Sequence, residues 1–211
     1  RKYLLRHGQV LLGSLLVLFL VGLDGHVSRV EGATLVVLYL IYVLSLLDNG
    51  AHADVKRKRS AYRTARTWGV LALGMIGVIG ASELIVRGAV ELAELWGVSQ
   101  SFVAIAVIGV GTSIPELSIS IAALTKARGA MSVGNIMGSN ILDTLLPIGI
   151  AALITPVVFE RGLLWFDLPT LFALSLLVCA FFLHKRGLQR REAVILLSLY
   201  VLYILSKLAS A

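Results

Sequence analysis

At 211 residues the chain could hold one medium-sized domain, but 58% of it is apolar, another 20 residues are glycine, and only 15% are charged, for a mean hydropathy of +0.90. Soluble domains sit near about 45–50% on the same apolar-plus-glycine count, so a water-soluble globule is excluded, and so is disorder, which requires the opposite composition. The single cysteine, Cys179, excludes a disulfide scaffold and a cysteine-based zinc site, while the net charge of +7 has to be judged from where the lysines and arginines sit.

Long apolar runs predict seven helices, over residues 10–23, 33–47, 67–95, 102–124, 131–155, 163–183 and 193–208. Each approaches the ~20 residues that cross ~30 Å of hydrocarbon. No stretch of ~10 residues alternates polar and apolar as a membrane barrel strand does, so the expected fold class is all-α, a polytopic membrane bundle. Arg1, Lys2 and Arg6 precede the first span, and Lys56, Arg57, Lys58, Arg59, Arg63 and Arg66 lie between the second and third. Lys126 and Arg128 follow the fourth span, and Lys185, Arg186, Arg190 and Arg191 follow the sixth. With alternating spans all of these fall on one side, against only Arg29 and Arg161 in the loops of the other, so the basic loops are expected in the cytoplasm and Ala211 outside. The Lys56 to Arg59 run then reads as a solvated loop beside anionic lipid, and no nucleic-acid partner is expected. No signal peptide is evident at the N-terminus.

Residues 28–47 and 189–208 match at an offset of 161, including Arg29 with Arg190, Glu31 with Glu192, Tyr39 with Tyr200, Tyr42 with Tyr203 and Ser45 with Ser206. One copy enters from outside and the other from inside, which is the arrangement of an inverted repeat. The expected organisation is therefore 1–47 as the last two helices of a first repeat, 48–66 as a basic cytoplasmic loop, and 67–211 as a complete five-helix second repeat with its motif at 102–150. The same offset places three further helices, about 94 residues, ahead of Arg1.

The fourth and fifth spans carry the polar chemistry. In the fourth, Gly109 and Gly111 permit irregular backbone, and Pro115 lacks an N–H and clashes with the Gly111 carbonyl, so a break is expected there. Thr112 and Ser113 precede Glu116 by four and three residues, which on a helix puts their hydroxyls on the carboxylate's face. In the fifth span Asn135, Ser139 and Asp143 recur every fourth residue as one stripe, and Gly134 with Gly138 is a small-xxx-small pair expected to admit a neighbouring helix. Carboxylates inside a bilayer are expensive and are functional candidates by default. Two of them with hydroxyls and loose carbonyls, and no His or Cys beside them, form an all-oxygen donor set suited to hard cations.

The segment GTSIPELSISIAALTKARGAMSVGNIMGSNILD, residues 111–143, resembles the second α-repeat of the cation/Ca²⁺ antiporter superfamily, and within it the sodium/calcium exchanger family. That resemblance implies ten helices in two inverted five-helix repeats, with cation sites where two α-repeats meet, in the cell membrane of a prokaryote. It implies Glu116 and Asp143 as carboxylate ligands, Thr112, Ser113 and Ser139 as hydroxyl or carbonyl ligands, and Gly109 as a carbonyl contributor. It also implies that the first α-repeat, lying upstream, completes the site. Many members have Asn where this chain has Asp143, which leaves the coupling ion open among Na⁺, H⁺ and K⁺.

The expected function is antiport of Ca²⁺ against Na⁺ by alternating access, without a cofactor, the partners being the two ions and the bilayer. An anionic midplane cavity must hold one divalent ion, several Na⁺ or protons, and mutual exclusion of those loads yields exchange. Proton coupling is the alternative, although Ile136 stands where proton-coupled relatives carry an acid; a channel would need flux without a counter-ion. An intramembrane protease using Ser113 or Ser139 would need a nearby base, and His7, His26, His52 and His184 are all expected in loops or at span ends. Gly69, Gly74, Gly77 and Gly80 suit either a mobile third span or close packing. Glu83 and Arg87 are expected to pair, and Asp167 to start a helix.

Overall fold

The structure is a computed structural model that describes residues 2–50, 61–97, 109–185 and 188–209. Its helices are α1 (Lys2–Val21), α2 (Arg29–Gly50), α3 (Ala61–Trp96), the single turn α4 (Gly109–Thr112), α5 (Ile114–Thr125), α6 (Gly129–Ile154), α7 (Leu168–Lys185) and α8 (Arg190–Ala209). Two short strands, β1 (His26–Val27) and β2 (Val157–Val158), lie in connections, and a π-helical turn (Leu163–Asp167) leads into α7. Among the described residues, Arg29–Leu47, Gly129–Ile154 and Leu163–His184 are long and apolar enough to cross a membrane, and Leu5–Val21 and Ile114–Thr125 are shorter apolar helices. Most of the fourth expected span's first half, with residues 98–108, lies outside the described residues.

The chain divides into two compact units, Arg1–Ala51 with Pro115–Ser198, and His52–Ile114 with Leu199–Ala211. In the first unit α6 packs against α2 and α1, and α1 packs against α7. The core follows helical periodicity: Leu11, Leu15 and Leu18 from α1, Leu35 and Tyr42 from α2, and Ile141, Leu145 and Ala152 from α6. Leu35 and Ile141 are fully enclosed. Large apolar side chains on the opposite faces, such as Leu40, Leu44, Leu47 and Ile150, stay exposed, as expected where the surrounding solvent is hydrocarbon.

The tightest crossing of α2 and α6 is at Gly32 and Gly149. A β-carbon on Gly32 would lie 2.8 Å from the Gly149 carbonyl oxygen and 2.7 Å from Ala152 Cβ, and one on Gly149 would lie 2.9 Å from the Gly32 carbonyl oxygen. Of the expected pair, a β-carbon on Gly138 would meet the Tyr42 hydroxyl at 3.9 Å among the described residues. At the same end, β1 and β2 pair antiparallel, with His26 opposite Val158 and Val27 opposite Val157. The Phe159 N–H donates to the Gly25 carbonyl at 2.8 Å, the Phe159 ring fills the space above Gly22, and the Arg29 guanidinium donates to the Ile154 carbonyl at 3.3 Å. Gly25 turns the chain with φ +87°, a conformation that costs glycine little.

Two local contacts recur at the offset of 161. The Ser28 N–H donates to Glu31 Oε2 at 2.8 Å, and the Gln189 N–H donates to Glu192 Oε2 at 3.0 Å, each satisfying an orphan donor at a helix start. Ser45 Oγ donates to the Tyr42 carbonyl at 2.6 Å, and Ser206 Oγ to the Tyr203 carbonyl at 2.7 Å. The matched residues thus do the same work in both copies. Asp167 does not start a helix; it closes the π-helical turn inside a continuous helical run. The Glu83 side chain lies outside the described residues. In α3 itself, a β-carbon at Gly69, Gly74, Gly77 or Gly80 would meet nothing within 4 Å among the described residues.

Candidate functional site

The helix break expected from Pro115 is present: α4 ends at Thr112, Ser113 is non-helical, and α5 resumes at Ile114. Pro115 then occupies the first turn of α5, where its missing N–H would have had no helical partner and its fixed φ suits the helix. Because the helix is interrupted, the i+3 and i+4 argument linking Thr112 and Ser113 to Glu116 does not hold. In the second unit both hydroxyls turn back instead, Thr112 Oγ1 donating to the Gly109 carbonyl at 3.2 Å and Ser113 Oγ to the same oxygen at 2.9 Å. Gly109, Thr112 and Ser113 therefore gather three oxygens into one turn, with the two hydroxyl-bearing residues exposed.

Within the first unit, Glu116 sits in the first turn of α5, where the helix dipole favours a carboxylate. Its Oε2 is buried and has no hydrogen-bond partner among the described residues. A buried acceptor of this kind is costly unless something is bound to it. Asp143 stands on the exposed side of α6, the helix next to the one that carries Glu116. Ser139 stands one turn before Asp143, half-buried, its hydroxyl donated to the Ile136 carbonyl at 3.2 Å. Asn135, one further turn back, reaches across to α5 and donates from Nδ2 to the Glu116 carbonyl at 3.0 Å and to Ser120 Oγ at 3.2 Å. Among the described residues no three His, Cys, Asp or Glu side chains cluster to hold a metal ion. The donors are thus two carboxylates and neutral oxygens, which suit a hard, oxygen-seeking cation.

Sequence reasoning missed one buried residue and one contact here. His7 is near the start of α1, at the end of its apolar stretch as expected, yet is only 3% exposed, with its ring edge-on to Tyr42 at 6.1 Å. Together with Tyr39, Tyr42, Asn135 and Ser139 it lines a cavity of about 360 Å³ on the polar stripe of α6. Arg6 and Gln9 stand beside it, so the sequence carried no signal of its burial. Asn135 was legible as part of a stripe, but its reach to α5 was not, because spacing along one helix says nothing about a partner on another.

A family model described as sodium/calcium exchanger protein matches residues 66–209, more than half of the chain. The chain belongs to the sodium/calcium exchanger protein family. It is 29% identical over 201 residues to an uncharacterised membrane protein of Methanocaldococcus jannaschii, covering 93% of this chain and 64% of that one. It is 29% identical over 134 residues to the sodium/calcium exchanger MaX1 of Methanosarcina acetivorans, covering 64% of this chain and 38% of that one. A solved structure of the sodium-calcium exchanger NCX_Mj soaked with Na⁺ and Sr²⁺ aligns with a TM-score of 0.70 at 28% identity, over 97% of this chain and 66% of that one. The chain thus spans less than two thirds of these relatives' length. With its helices, the family makes it an all-α, polytopic integral membrane protein.

Proposed function

We propose that this chain supplies one α-repeat of a secondary antiporter that exchanges Ca²⁺ for Na⁺ by alternating access. In this reading it is a transporter and not an enzyme, and needs no cofactor beyond the transported ions. Glu116 and Asp143 provide charged ligands, Thr112, Ser113 and Ser139 hydroxyl or carbonyl oxygens, and Gly109 a carbonyl; upstream sequence carrying a first α-repeat completes the coordination. The domain division at 47 and 67, the ten-helix inverted-repeat plan, the prokaryotic cell membrane and the cytoplasmic placing of the basic loops belong to the same proposal.

The observation that carries it is the buried, unpartnered oxygen of Glu116, on the helix beside the one that carries the second carboxylate, Asp143. Two opposed negative charges in low dielectric are relieved when a divalent ion, or Na⁺ ions in its place, sits between them. If only a neutralised site crosses between the two faces of the membrane, one ion's passage obliges the other's return. The test is ⁴⁵Ca²⁺ uptake into vesicles holding the full-length protein, driven by an outward Na⁺ gradient at fixed pH. Uptake that follows the Na⁺ gradient supports the proposal; uptake that follows only a pH gradient replaces Na⁺ by H⁺, and uptake with neither gradient indicates a channel.

A further inference from the structure

Beyond the ligands, we propose that Asn135 is a positioning residue that sets where the Glu116 carboxylate stands relative to Asp143, an inference that rests on the Ca²⁺-binding part of the proposed function. Among the described residues, the main packing partners of α6 are α1 and α2, and α5 is not one of them. The short connection 126–128 holds α5 beside α6 at one end, and the Asn135 side chain bonds across from α6 to α5. What bridges them is polar: both Asn135 hydrogen bonds run from one amide nitrogen to acceptors spaced one turn apart on α5, the Glu116 carbonyl and Ser120 Oγ. The Glu116 carbonyl lies in the backbone of the ligand residue itself, so the amide holds the ligand's own peptide unit.

The chemistry explains why an amide stands at this position. An NH₂ group carries two donors and can serve two acceptors at once, whereas a carboxylate in its place would face a carbonyl oxygen with no proton to offer. Ser120 is 4% exposed, so its oxygen depends on partners within the protein. Asn135 itself sits eight residues, or about 12 Å, before Asp143 on the same face of α6, too far along the axis to share that carboxylate's ion. It acts through Glu116 and not on the cation. Ligand position matters because a displaced charged ligand loses most of its contribution to a hard-cation site.

The experiment is equilibrium ⁴⁵Ca²⁺ binding to purified full-length protein, with the ion-free melting temperature measured on the same samples. Asn135→Ala is expected to raise the Ca²⁺ Kd roughly tenfold, and Ser120→Ala about threefold, as loss of two or one neutral hydrogen bonds predicts. The double variant is expected to match Asn135→Ala alone, and Ser120→Thr, which keeps the hydroxyl, to restore the wild-type Kd. A lower melting temperature with the Kd unchanged, or fully additive effects in the double variant, overturns the proposal. Should Asn135→Ala fail to fold, the Ser120→Ala rise and its reversal in Ser120→Thr decide the matter. A wild type that binds no Ca²⁺ removes the proposed function and this inference with it; a binding wild type with an indifferent Asn135→Ala removes the inference alone.

Discussion

The side of α6 that meets α2 and the side that meets α5 are built on different principles. Toward α2 the contact is apolar and close, with Leu35, Ile141 and Leu145 enclosed and Gly32 against Gly149 leaving no room for a methyl group. Toward α5 it carries the two Asn135 hydrogen bonds beside an orphaned carboxylate oxygen. Under the proposed function the face toward α5 carries the ion ligands, and its unpartnered carboxylate oxygen is a cost that a bound cation would offset.

If that division is right, substitutions on the two sides should move different observables. Gly149→Val has the largest expected effect: the added carbons collide with the Gly32 carbonyl and Val36, backbone and a β-branched side chain that cannot yield. A loss of roughly 3 kcal/mol or more is expected, read as failure to recover monodisperse protein in detergent. Next come Glu116→Gln and Asp143→Asn, each expected to cut Na⁺-driven Ca²⁺ uptake on the order of 100-fold, as loss of a charged partner predicts. Because each also removes one of two opposing charges, the ion-free melting temperature is expected to rise, not fall. Unchanged uptake in both variants would refute the assignment.

Leu35→Ala tests the apolar side more gently. In lipid, helix association draws on packing and not on transfer from water, so the expected cost is about 1–3 kcal/mol, below the roughly 2.7–5.0 kcal/mol known for soluble cores. Its melting temperature falls while the Ca²⁺ Kd of the folded protein stays within twofold. The smallest effect belongs to the repeated caps: Glu31→Ala and Glu192→Ala are each expected to cost about 1 kcal/mol by thermal melting, with a similar loss at both. Unequal losses would show that the two copies have diverged in use.

The sequence made the polar stripe readable because Asn135, Ser139 and Asp143 share one continuous helix, on which periodicity is a geometric fact. Pro115 likewise announced the break, since its chemistry acts on its own chain. Readings that needed a second element fared less well. The close crossing of α2 and α6 at Gly32 and Gly149 joins two glycines that are far apart in the chain and share no pattern. Thr112 and Ser113 were assigned a shared face with Glu116 by a helical rule that the break at Ser113 suspends. His7 lies among the first few residues of α1, where sequence position suggested exposure, and it is buried with its ring beside Tyr42 of α2.

The two-residue ladder between β1 and β2 also governs how the molecule can be labelled. It stitches the connection after α1 to the connection after α6 through backbone bonds, with Phe159 seated over Gly22 as a plug. A reporter peptide grafted between Asp24 and Val27, or between Val157 and Phe159, would unpick that seam and pull on both helices at once.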